Sequence, residues 1–398
     1  MTKPRFNLSA AIVVGLVLGL VVGPLLGSNA APLGELGKLV IQAIKAVATP
    51  LIFFAIVQAI LMNDIGGRGA GRLLGFSLVN AVLALGLGLL LSNVLRPGDQ
   101  MRGITPAGDP AAYVGKKVEL IKTLSSYIPS NWVSPFIDNA VISIVAMALL
   151  SGFALRRVRV EREGGIPAVE ELVGSGLRAL EVVLGWVILA VPLAVFGVVA
   201  KTVGEYGFAP LRGLAAYVGV GVLGLALHAL VTYQAWLLLW VRIPLRTFWA
   251  AAQEPVIYAA GANSSLATLP VTLRALDRLG ISKPSSTLGA CVGTNLNNDG
   301  ILLYEGMAVL FVAQASGIEL SLAQQVTAGL TCMVAAAGVA GVPEAGFISL
   351  ALVLNTVGLP IEILPLLLTV DWVIARGRSV VNVLSDMMLS ILIEGRRA

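Results

Sequence analysis

Long apolar runs recur through the first part of the chain. Leu8–Leu26 and the runs at 73–94, 183–200 and 211–241 are 19, 22, 18 and 31 residues long, and a helix needs roughly 20 residues to cross the hydrocarbon core of a bilayer. These runs predict membrane-spanning helices. The first run is too long for the core of a signal peptide, and we expect it to be retained as a span.

The pattern changes after residue 245. Ser, Asn, Gly and Pro interrupt apolar helix in YAAGANSSLATLPVTL, GTNLNNDGILLYEG and AAAGVAGVPEAGF, which begin at Tyr258, Gly293 and Ala335. Unpaired backbone groups cost several kcal/mol each in lipid, so interrupted helix at membrane depth occurs where protein or a water-filled cavity surrounds it. We therefore expect these segments to line a site.

Two of the interrupted segments share a design. Each has a tract of small residues that ends in a proline, at 264–270 and 335–343, between apolar arms that are short for a full crossing. A half-span in, a tight turn and a half-span out form a re-entrant hairpin, and paired interruptions of this kind point to a transporter's binding site. A kinked helix that packs through small residues is the alternative.

The stretch between the two hairpins contains NLNNDG, residues 295–300. Successive Asn and Asp oxygens, together with freed backbone carbonyls, suit a cation. Gly300 would permit the backbone to leave the helix here. The stretch therefore predicts an ion site.

The last apolar segment contains DWVIARGRSVVNVLSDMM, residues 371–388, with ionised groups in an apolar context. In an α-helix each residue is rotated by about 100° about the helix axis, so five residues of this segment fall on one face about 80° wide. They form a stripe of Asp371, Ala375, Arg378, Asn382 and Asp386. Arg376 points elsewhere. A charge at the bilayer centre costs roughly 2.5 to 3.5 kcal/mol, so such groups face a bundle interior and mark ion or substrate pathways. A purely structural Asp–Arg pair is the alternative.

The composition fits this picture. Of 398 residues, 57% are hydrophobic and only 12% are charged, whereas soluble domains are about one quarter charged. We therefore expect one polytopic membrane unit over residues 1–398, located in the cell's inner or plasma membrane and in contact with its lipids. The net charge of +5 is better explained by the positive-inside rule than by nucleic acid, which we do not expect as a partner.

The basic residues cluster in short connections between the spans. They are Lys3, Arg5, Arg68, Arg72, Arg156, Arg157, Arg159, Arg162, Arg242, Arg246, Arg396 and Arg397. If the spans alternate in direction, all of these clusters fall on one side of the membrane. The pattern therefore predicts that both termini are cytoplasmic.

Other chemistry is sparse. Cys291 and Cys332 lie in apolar context and predict reduced core residues rather than a disulfide or metal site, and we interpret His228 as a packed polar residue. Ser264 and Ser265 have no histidine that could serve them, which argues against an enzyme. An anion channel would need a continuous basic pore, whereas the polar residues gather at one depth.

Four motifs together carry a family resemblance. SSLATLP is similar to the serine-rich tip of the first hairpin in the glutamate transporter family, the dicarboxylate/amino acid:cation symporters. NLNNDG resembles the NMDG motif of that family. AGVAGVP resembles its second hairpin, and DWVIARGRSVVNVLSD resembles its last helix. The resemblance covers essentially the whole chain. It implies an all-α polytopic fold of eight transmembrane helices plus two re-entrant helical hairpins, a homotrimer, and an elevator-type transporter.

The resemblance also implies a division of the chain. The scaffold would lie mainly within residues 1–245, as spans 1, 2, 4 and 5. The moving transport domain would have its core in residues 246–398, as the first hairpin, span 7, the second hairpin and span 8, joined by spans 3 and 6.

Position by position, the resemblance makes Arg378 the guanidinium that grips the distal carboxylate of a small anionic substrate, a task for which its fork geometry is suited. Ser265 and the hairpin tips would meet the other carboxylate. The implied substrate site comprises Ser264, Ser265, Thr268, Gly341, Val342, Ala375, Arg378, Ser379 and Asn382.

Sodium is the coupling ion that the resemblance implies, with proton coupling as a further possibility. The implied ligands are Gly293, Asn295, Asn297, Asp299, Ala336, Ala337, Val339, Asn382 and Asp386. One site would use Gly293, Asn297, Asn382 and Asp386, and a second Asn295 with 336–339. A third would use Asn297 and Asp299, but the third span offers Ser77, Asn80 and Ala81 where the family usually has Tyr, Thr and Ser.

Departures from the family pattern bear on the substrate. Ala375 stands where the family's amino acid carriers have an Asp that holds the amino group, so we expect C4-dicarboxylates to bind better than acidic amino acids. Asn298 and Ile301 replace the family's Met and Thr. Glu344, just after Pro343, would either replace the missing ligand in an acidic or neutral amino acid symporter or face the aqueous vestibule, which we favour.

Glu305 follows a different branch of the family. The LYE of residues 303–305 resembles the animal excitatory amino acid transporters, in which this Glu carries a proton. Desolvation favours the neutral form of a carboxyl, which makes Glu305 a candidate for proton coupling. A carboxylate at a helix end that faces water is the alternative.

Overall fold

A computed structural model of the chain describes residues 8–62, 67–102, 128–129, 131–137, 141–163, 165–295, 297–338 and 345–395. Within these ranges the chain is helical and has no β-strand. The helices of the first part are α1 (Leu8–Leu26), α2 (Glu35–Met62), α3 (Gly67–Leu95), α4 (Ser134–Ile137), α5 (Val141–Glu161), α6 (Pro167–Leu189), α7 (Val191–Tyr206), α8 (Ala209–Leu227) and α9 (Tyr233–Ala235). Those of the second part are α10 (Leu245–Ala262), α11 (Ser265–Arg278), α12 (Lys283–Ser286), α13 (Asp299–Ala315), α14 (Leu322–Gly338), α15 (Ala345–Val357) and α16 (Leu364–Glu394).

Wider and tighter turns interrupt these helices. Gly27–Gly34, Pro97–Met101 and Gly293–Asn295 are 3₁₀-helical, and His228–Thr232, Trp236–Val241 and Thr287–Val292 are π-helical. A π-bulge inside an α-helix is rare and frequently marks a functional site. The π segments therefore draw attention to the region after α8 and the region before α13.

Four helical stretches in the described part of the chain are long and apolar enough to cross a membrane. They are Ala10–Val40, Gly71–Leu95, Pro167–Tyr206 and Pro210–Val241. They overlap the four apolar runs of the sequence, and the prediction of a multi-pass membrane protein is confirmed in this form. The count of eight spans stays a prediction.

Glycines allow α1 to pack very closely against α7. A Cβ atom on Gly15 would lie 2.5 Å from the Pro192 carbonyl oxygen, and one on Gly23 would lie 2.6 Å from the Ala200 carbonyl oxygen. Because lipid offers no hydrophobic driving force between helices, small residues that bring backbones together are what holds such a pair. Substitution at either glycine would force the two helices apart.

Two polar contacts fix which helix ends lie at the same face of the molecule. Arg72, near the start of α3, donates to the Ile393 carbonyl at the end of α16 over 3.2 Å. At the other end of α3, Arg96 donates to Glu319, which follows α13, over 2.6 Å. With 29 residues, α3 is about 43 Å long at about 1.5 Å per residue, enough to separate the two faces by a bilayer.

The Glu319 carboxylate belongs to an exposed cluster with Arg96, Asp99 and Arg102. The hydrogen bond from Arg96, assisted by Arg102, lowers the pKa of Glu319 below its usual value. A group with a lowered pKa stabilises the folded state above its unfolded pKa, and that stabilisation is lost as the pH falls through the folded pKa. The cluster therefore ties α3 to α13 at neutral pH and weakens in acid.

The orientation of these faces can be tested with single cysteines. Arg157→Cys should be labelled by a membrane-impermeant maleimide only from the cytoplasmic side, and Glu319→Cys only from the opposite side, since the exposed basic residues cluster with Arg157. Both side chains are accessible, with relative exposures of 80% and 66%. Whole cells and inverted vesicles separate the two sides, with the unsubstituted chain as control. Labelling of both positions from the same side would contradict this topology.

Two helical hairpins occupy the second part of the chain. In the first, α10 and α11 pack together around a two-residue turn at Asn263 and Ser264. The turn lies at the start of the small-residue tract, and Pro270 lies inside α11 rather than at a tip. In the second, α14 and α15 pack together, and the tip at 339–344 lies outside the described residues.

Candidate functional site

The polar stripe of the last helix is buried, as predicted. Asp371, Ala375, Arg378, Asn382 and Asp386 are all at most 6% exposed, within a helix that packs against α10, α11, α13 and α15. Arg376 lies off the stripe: it donates to its own helix at Trp372 and stacks on that ring. The 3.6-residue period therefore identified correctly which face of α16 turns inward.

Arg378 is held by an acid on its own helix. Its Nη1 and Nη2 donate to the two carboxylate oxygens of Asp371 over 2.6 and 3.0 Å. Two parallel, charge-assisted hydrogen bonds of this kind are the strong form of an Arg–carboxylate contact. The pair therefore holds the guanidinium in a geometry that matches a carboxylate.

Two further elements pack on the same guanidinium. Its Cζ lies 4.1 Å from the ring centroid of Tyr304 on α13, a cation–π contact. From the second hairpin, a Cβ on Gly346 would meet Arg378 Cζ and Nε at 3.0 Å. Arg378 therefore lies where α13, α15 and α16 meet, and the start of α15 covers it directly.

The tip of the first hairpin docks beside Arg378. Ser379 Oγ donates to Asn263 Oδ1 over 3.1 Å, which joins α16 to the turn. Asn263 takes a left-handed conformation with φ of 50°, and Ser264 caps α11 by accepting from the Ala267 N–H. Thr268 is buried and donates to the Ser264 carbonyl over 2.7 Å.

These contacts place four of the predicted substrate residues at one turn: Ser264, Thr268 and Ser379, with Ser265 as the first residue of α11. Asn263, which sequence reasoning missed, holds that turn against α16. Gly341, Val342, Val339 and Glu344 lie outside the described residues. Ala336 and Ala337 lie in the last turn of α14, and the Ala336 carbonyl accepts from Asn298 Nδ2 over 3.2 Å.

The helix break at residues 295–300 is present, but Gly300 has a different role from the one predicted. The chain is non-helical at Asn297 and Asn298, and Gly300 is the second residue of α13. A Cβ there would lie 2.6 Å from the Arg378 carbonyl oxygen. Gly300 is therefore required for close packing on α16, and its N–H donates to Asn382 Oδ1 over 2.9 Å.

Asp299 lies at the centre of a buried polar network. Its Oδ2 accepts from Ser385 over 2.5 Å and from Tyr233 over 2.8 Å, and His228 Nε2 lies 3.3 Å from the same oxygen. Asn297 Nδ2 donates to Ser385 Oγ. Ser385 thus links the predicted cation ligands Asn297 and Asp299 to each other.

His228 begins the first π segment and Tyr233 follows it, and neither was assigned to the site from sequence. His228 is a packed polar residue, as interpreted, but its partner is the carboxylate of a predicted ion ligand. Histidine and tyrosine in an apolar span give no signal of which helix they face. The π-helical turn that brings them toward Asp299 is likewise not encoded in hydrophobic periodicity.

Buried oxygens in this region retain acceptor capacity. Among the described residues, Asn297 Oδ1, Asp299 Oδ1 and Asp386 Oδ1 are buried and have no hydrogen-bond partner. Asp386 hydrogen-bonds with Thr294 and interacts electrostatically with Asp299. Two buried carboxylates that interact electrostatically repel each other unless a cation or a proton compensates their charge. The donor set, carboxylate and amide oxygens, fits sodium.

The Gly293 carbonyl accepts from the Asn297 N–H over 2.8 Å, which leaves one lone pair for an ion. Asn295 ends the 3₁₀ turn beside it. From the third span, Asn80 Oδ1 accepts from Trp236 Nε1 over 2.8 Å, and Ala81 offers only a methyl group. One hydrogen bond leaves the second lone pair of the Asn80 oxygen, and the Ser77 hydroxyl has no partner among the described residues. The third sodium site therefore stays a prediction.

Glu305 is fully buried in the interior of α13, so its carboxyl does not face water from a helix end. Its Oε1 accepts from Ser349 Oγ of α15. The Cys332 thiol of α14 faces the same carboxyl, and Arg378 acts on it electrostatically. Cys332 is buried, as expected for a core residue, whereas Cys291 is only half-buried, so that part of the prediction is wrong. In the described structure neither cysteine forms a disulfide.

Comparisons with known proteins identify the family. The family model described as "Sodium:dicarboxylate symporter family" matches residues 8–395. A C4-dicarboxylate transport protein of Rhodospirillum rubrum is 32% identical over 96% of this chain and 86% of its own length. Proteins of the same name from Laribacter hongkongensis and Bacillus subtilis are 30% and 29% identical, over 96% of this chain and 88% and 91% of their own lengths.

Proposed function

Because this chain belongs to the sodium:dicarboxylate symporter family, we propose that it carries C4-dicarboxylates such as succinate, fumarate or malate by cation-coupled symport. Membership makes the chain a transporter rather than an enzyme. The names of its relatives, C4-dicarboxylate transport proteins, support the substrate class. The proposal goes further by naming the residues that bind substrate and cation.

The buried Arg378–Asp371 pair carries the proposal. A guanidinium that is 4% exposed, held ready in fork geometry beneath the start of α15, suits one carboxylate of a dicarboxylate. The tip of the first hairpin, held by Asn263 and Ser264, supplies backbone and hydroxyl donors for the other carboxylate. Tyr304 fixes the plane of the guanidinium between them.

Ala375 separates a dicarboxylate from an acidic amino acid. It is buried on the same stripe, one turn from Arg378, and offers no partner for an ammonium group. Among the described residues, Asp371 is the acid in direct contact with the guanidinium, and both of its oxygens are engaged there. An unpaired ammonium in a closed site costs several kcal/mol, so a plain dicarboxylate fits better.

Ala375→Asp should shift the preference toward aspartate over succinate by about 1 to 3 kcal/mol, because it restores a charge-assisted hydrogen bond to the amino group. Competition binding on the wild type and the variant measures the shift. Ala375→Asn, which has the same shape without the charge, is the matched control and should shift it less. Tight aspartate binding by the wild type would contradict the prediction, and Glu344→Gln would then test whether Glu344 holds the amino group.

We assign sodium to the oxygens around Asn297 and Asp386, with Gly293 and Asn382 as the other ligands. The support is the set of buried acceptors without partners and the fit of hard oxygen ligands to sodium. A bound cation there would offset the repulsion between Asp299 and Asp386. Glu305 is the proposed proton-coupling group, supported by its burial and by an Oε2 atom that no described N–H or O–H donor reaches.

We further propose an elevator mechanism in a homotrimer of eight-span, two-hairpin subunits. Its support is the packing: α1 packs on α7 and α2 on α5 and α6, whereas α10, α11, α13 and α15 pack on α16. The first set would form the scaffold and the second the transport domain, together with α3 and the spans around α8. The re-entrant course of both hairpins belongs to this proposal.

One uptake experiment tests the function. Sealed vesicles that contain the purified protein should accumulate radiolabelled succinate with an inward sodium gradient, and an ionophore should dissipate the accumulation. Aspartate, glutamate, fumarate and malate complete the panel, each with sodium and with potassium. Equal flux without any gradient would point to an uncoupled anion channel instead.

A further inference from the structure

Glu305 is placed where three elements meet. The carboxyl projects from α13, Ser349 belongs to α15, and Cys332 belongs to α14, so one side chain is contacted from both arms of the second hairpin. All three residues are 0% exposed. Such a cluster links both arms of the hairpin to α13 through polar contacts.

The surroundings of the carboxyl limit what else can act on it. The charged or titratable groups that face it in the described structure are Arg378 from α16 and the Cys332 thiol from α14. The Ser349 hydroxyl donates to the Glu305 carboxyl and is a stronger donor than the Cys332 thiol. It is therefore the main polar link between α15 and α13 at this point.

The same arm that carries Ser349 covers the substrate guanidinium. Gly346 lies one helical turn before Ser349, and its carbonyl lies 3.4 Å from Ser349 Oγ. Gly346 is also the residue that packs directly on Arg378. A shift of α15 away from Glu305 would therefore uncover Arg378.

We propose that Glu305, Ser349 and Cys332 form a clasp that holds both arms of the second hairpin closed over Arg378. Ser349 and Cys332 are positioning residues: they act on the substrate site through Glu305 and through the placement of the hairpin. This inference rests on the proposed function in so far as the hairpin covers a substrate, but the clasp itself exists without substrate.

The ligand-free protein tests the clasp directly. N-ethylmaleimide should alkylate Cys332 slowly in the wild type, because the thiol is buried, and about 5- to 30-fold faster in Ser349→Ala, which loses one buried hydrogen bond to a carboxyl. Mass spectrometry reads Cys332 and Cys291 separately, so Cys291 on the other side of the break serves as an internal reference. Ser349→Thr keeps the hydroxyl and should restore the slow rate.

Thr356→Val is the matched control on α15. The Thr356 hydroxyl donates to Leu352 of its own helix, so its loss should leave the Cys332 rate unchanged. Equal alkylation rates in the wild type and Ser349→Ala would overturn the clasp. So would an increase of the same size in Thr356→Val, which would indicate general loosening of the hairpin.

A cycle with Glu305 covers the case in which Ser349→Ala unfolds the hairpin. In a Glu305→Leu background, Ser349→Ala should no longer accelerate alkylation, because the acceptor is already gone. A persistent acceleration would show that Ser349 acts elsewhere and would overturn the clasp. None of these measurements uses substrate, so a failure of the proposed function would leave them intact.

Substrate binding then tests the other arm. Cys332→Ala should weaken succinate binding by about 3- to 10-fold, as expected for one weak donor, and Cys332→Ser should rescue it. Thr331→Val, the adjacent buried residue whose hydroxyl bonds Thr327 of its own helix, should bind as the wild type does. Unchanged binding in Cys332→Ala would remove Cys332 from the clasp.

Discussion

Arg378→Ala should lower the affinity for every C4-dicarboxylate by at least about 100-fold, because truncation of one partner of a buried charge pair costs roughly 3 to 5 kcal/mol. Arg378→Lys keeps the charge but loses the fork and should retain weakened binding. Equilibrium binding of radiolabelled succinate measures both. Arg376→Ala is the matched control on the same helix, since that side chain lies off the stripe, and should bind within about 2-fold of the wild type.

Loss of binding by Arg378→Ala has a second possible cause that must be separated. The substitution leaves Asp371 as a buried carboxylate without its partner, which destabilises the fold by a similar amount. The double variant Arg378→Met with Asp371→Leu removes both charges and should recover thermal stability while binding stays lost. Binding by the double variant would sink the assignment of Arg378 as the substrate ligand.

Asp386→Asn should raise the sodium concentration for half-maximal succinate binding by about 100-fold or more, because a buried cation loses its charged ligand. The shape of the side chain is kept, so the effect reports the charge. Glu394→Gln is the control: it lies on the same helix, at its end, where it accepts from Ser282. A sodium titration at constant pH, followed by a pH titration at constant sodium, measures both variants.

An unchanged sodium dependence in Asp386→Asn would contradict the sodium assignment. If succinate binding in that variant instead followed the pH, the coupling ion would be the proton, and Glu305→Gln would be the next variant to examine. The two titrations therefore separate the two ions at the level of single residues.

The buried face of α16 could be predicted from the sequence, because the helical repeat alone determines which residues of one helix share a face. Spacing alone placed Asp371, Arg378 and Asp386 on one side, and all three are buried there. The helix pairs α10–α11 and α14–α15 and the break before α13 lie where Ser, Asn, Gly and Pro interrupt apolar sequence. Interrupted helix at membrane depth needs protein or water around it, which is why this pattern carried information.

The partners across the site did not follow from the sequence. Periodicity gives the direction of a side chain on its own helix but not which helix it faces, so the contacts of Tyr233 and His228 with Asp299 could not be foreseen. The same holds for Ser349 and Cys332 with Glu305. Gly300 was assigned to the end of a helix because glycine is permissive, whereas here it serves close approach to Arg378.

The close contact between α1 and α7 bears on how the chain assembles during synthesis. Gly15 and Gly23 are made early, but the backbone that they touch, at Pro192 and Ala200, emerges on the order of 10 to 40 s later at about 5 to 20 residues per second. Through that interval the glycine face of α1 lacks the helix on which it packs in the folded chain. The packing surface of α1 is therefore completed only when α7 has been synthesised and docks against Gly15 and Gly23.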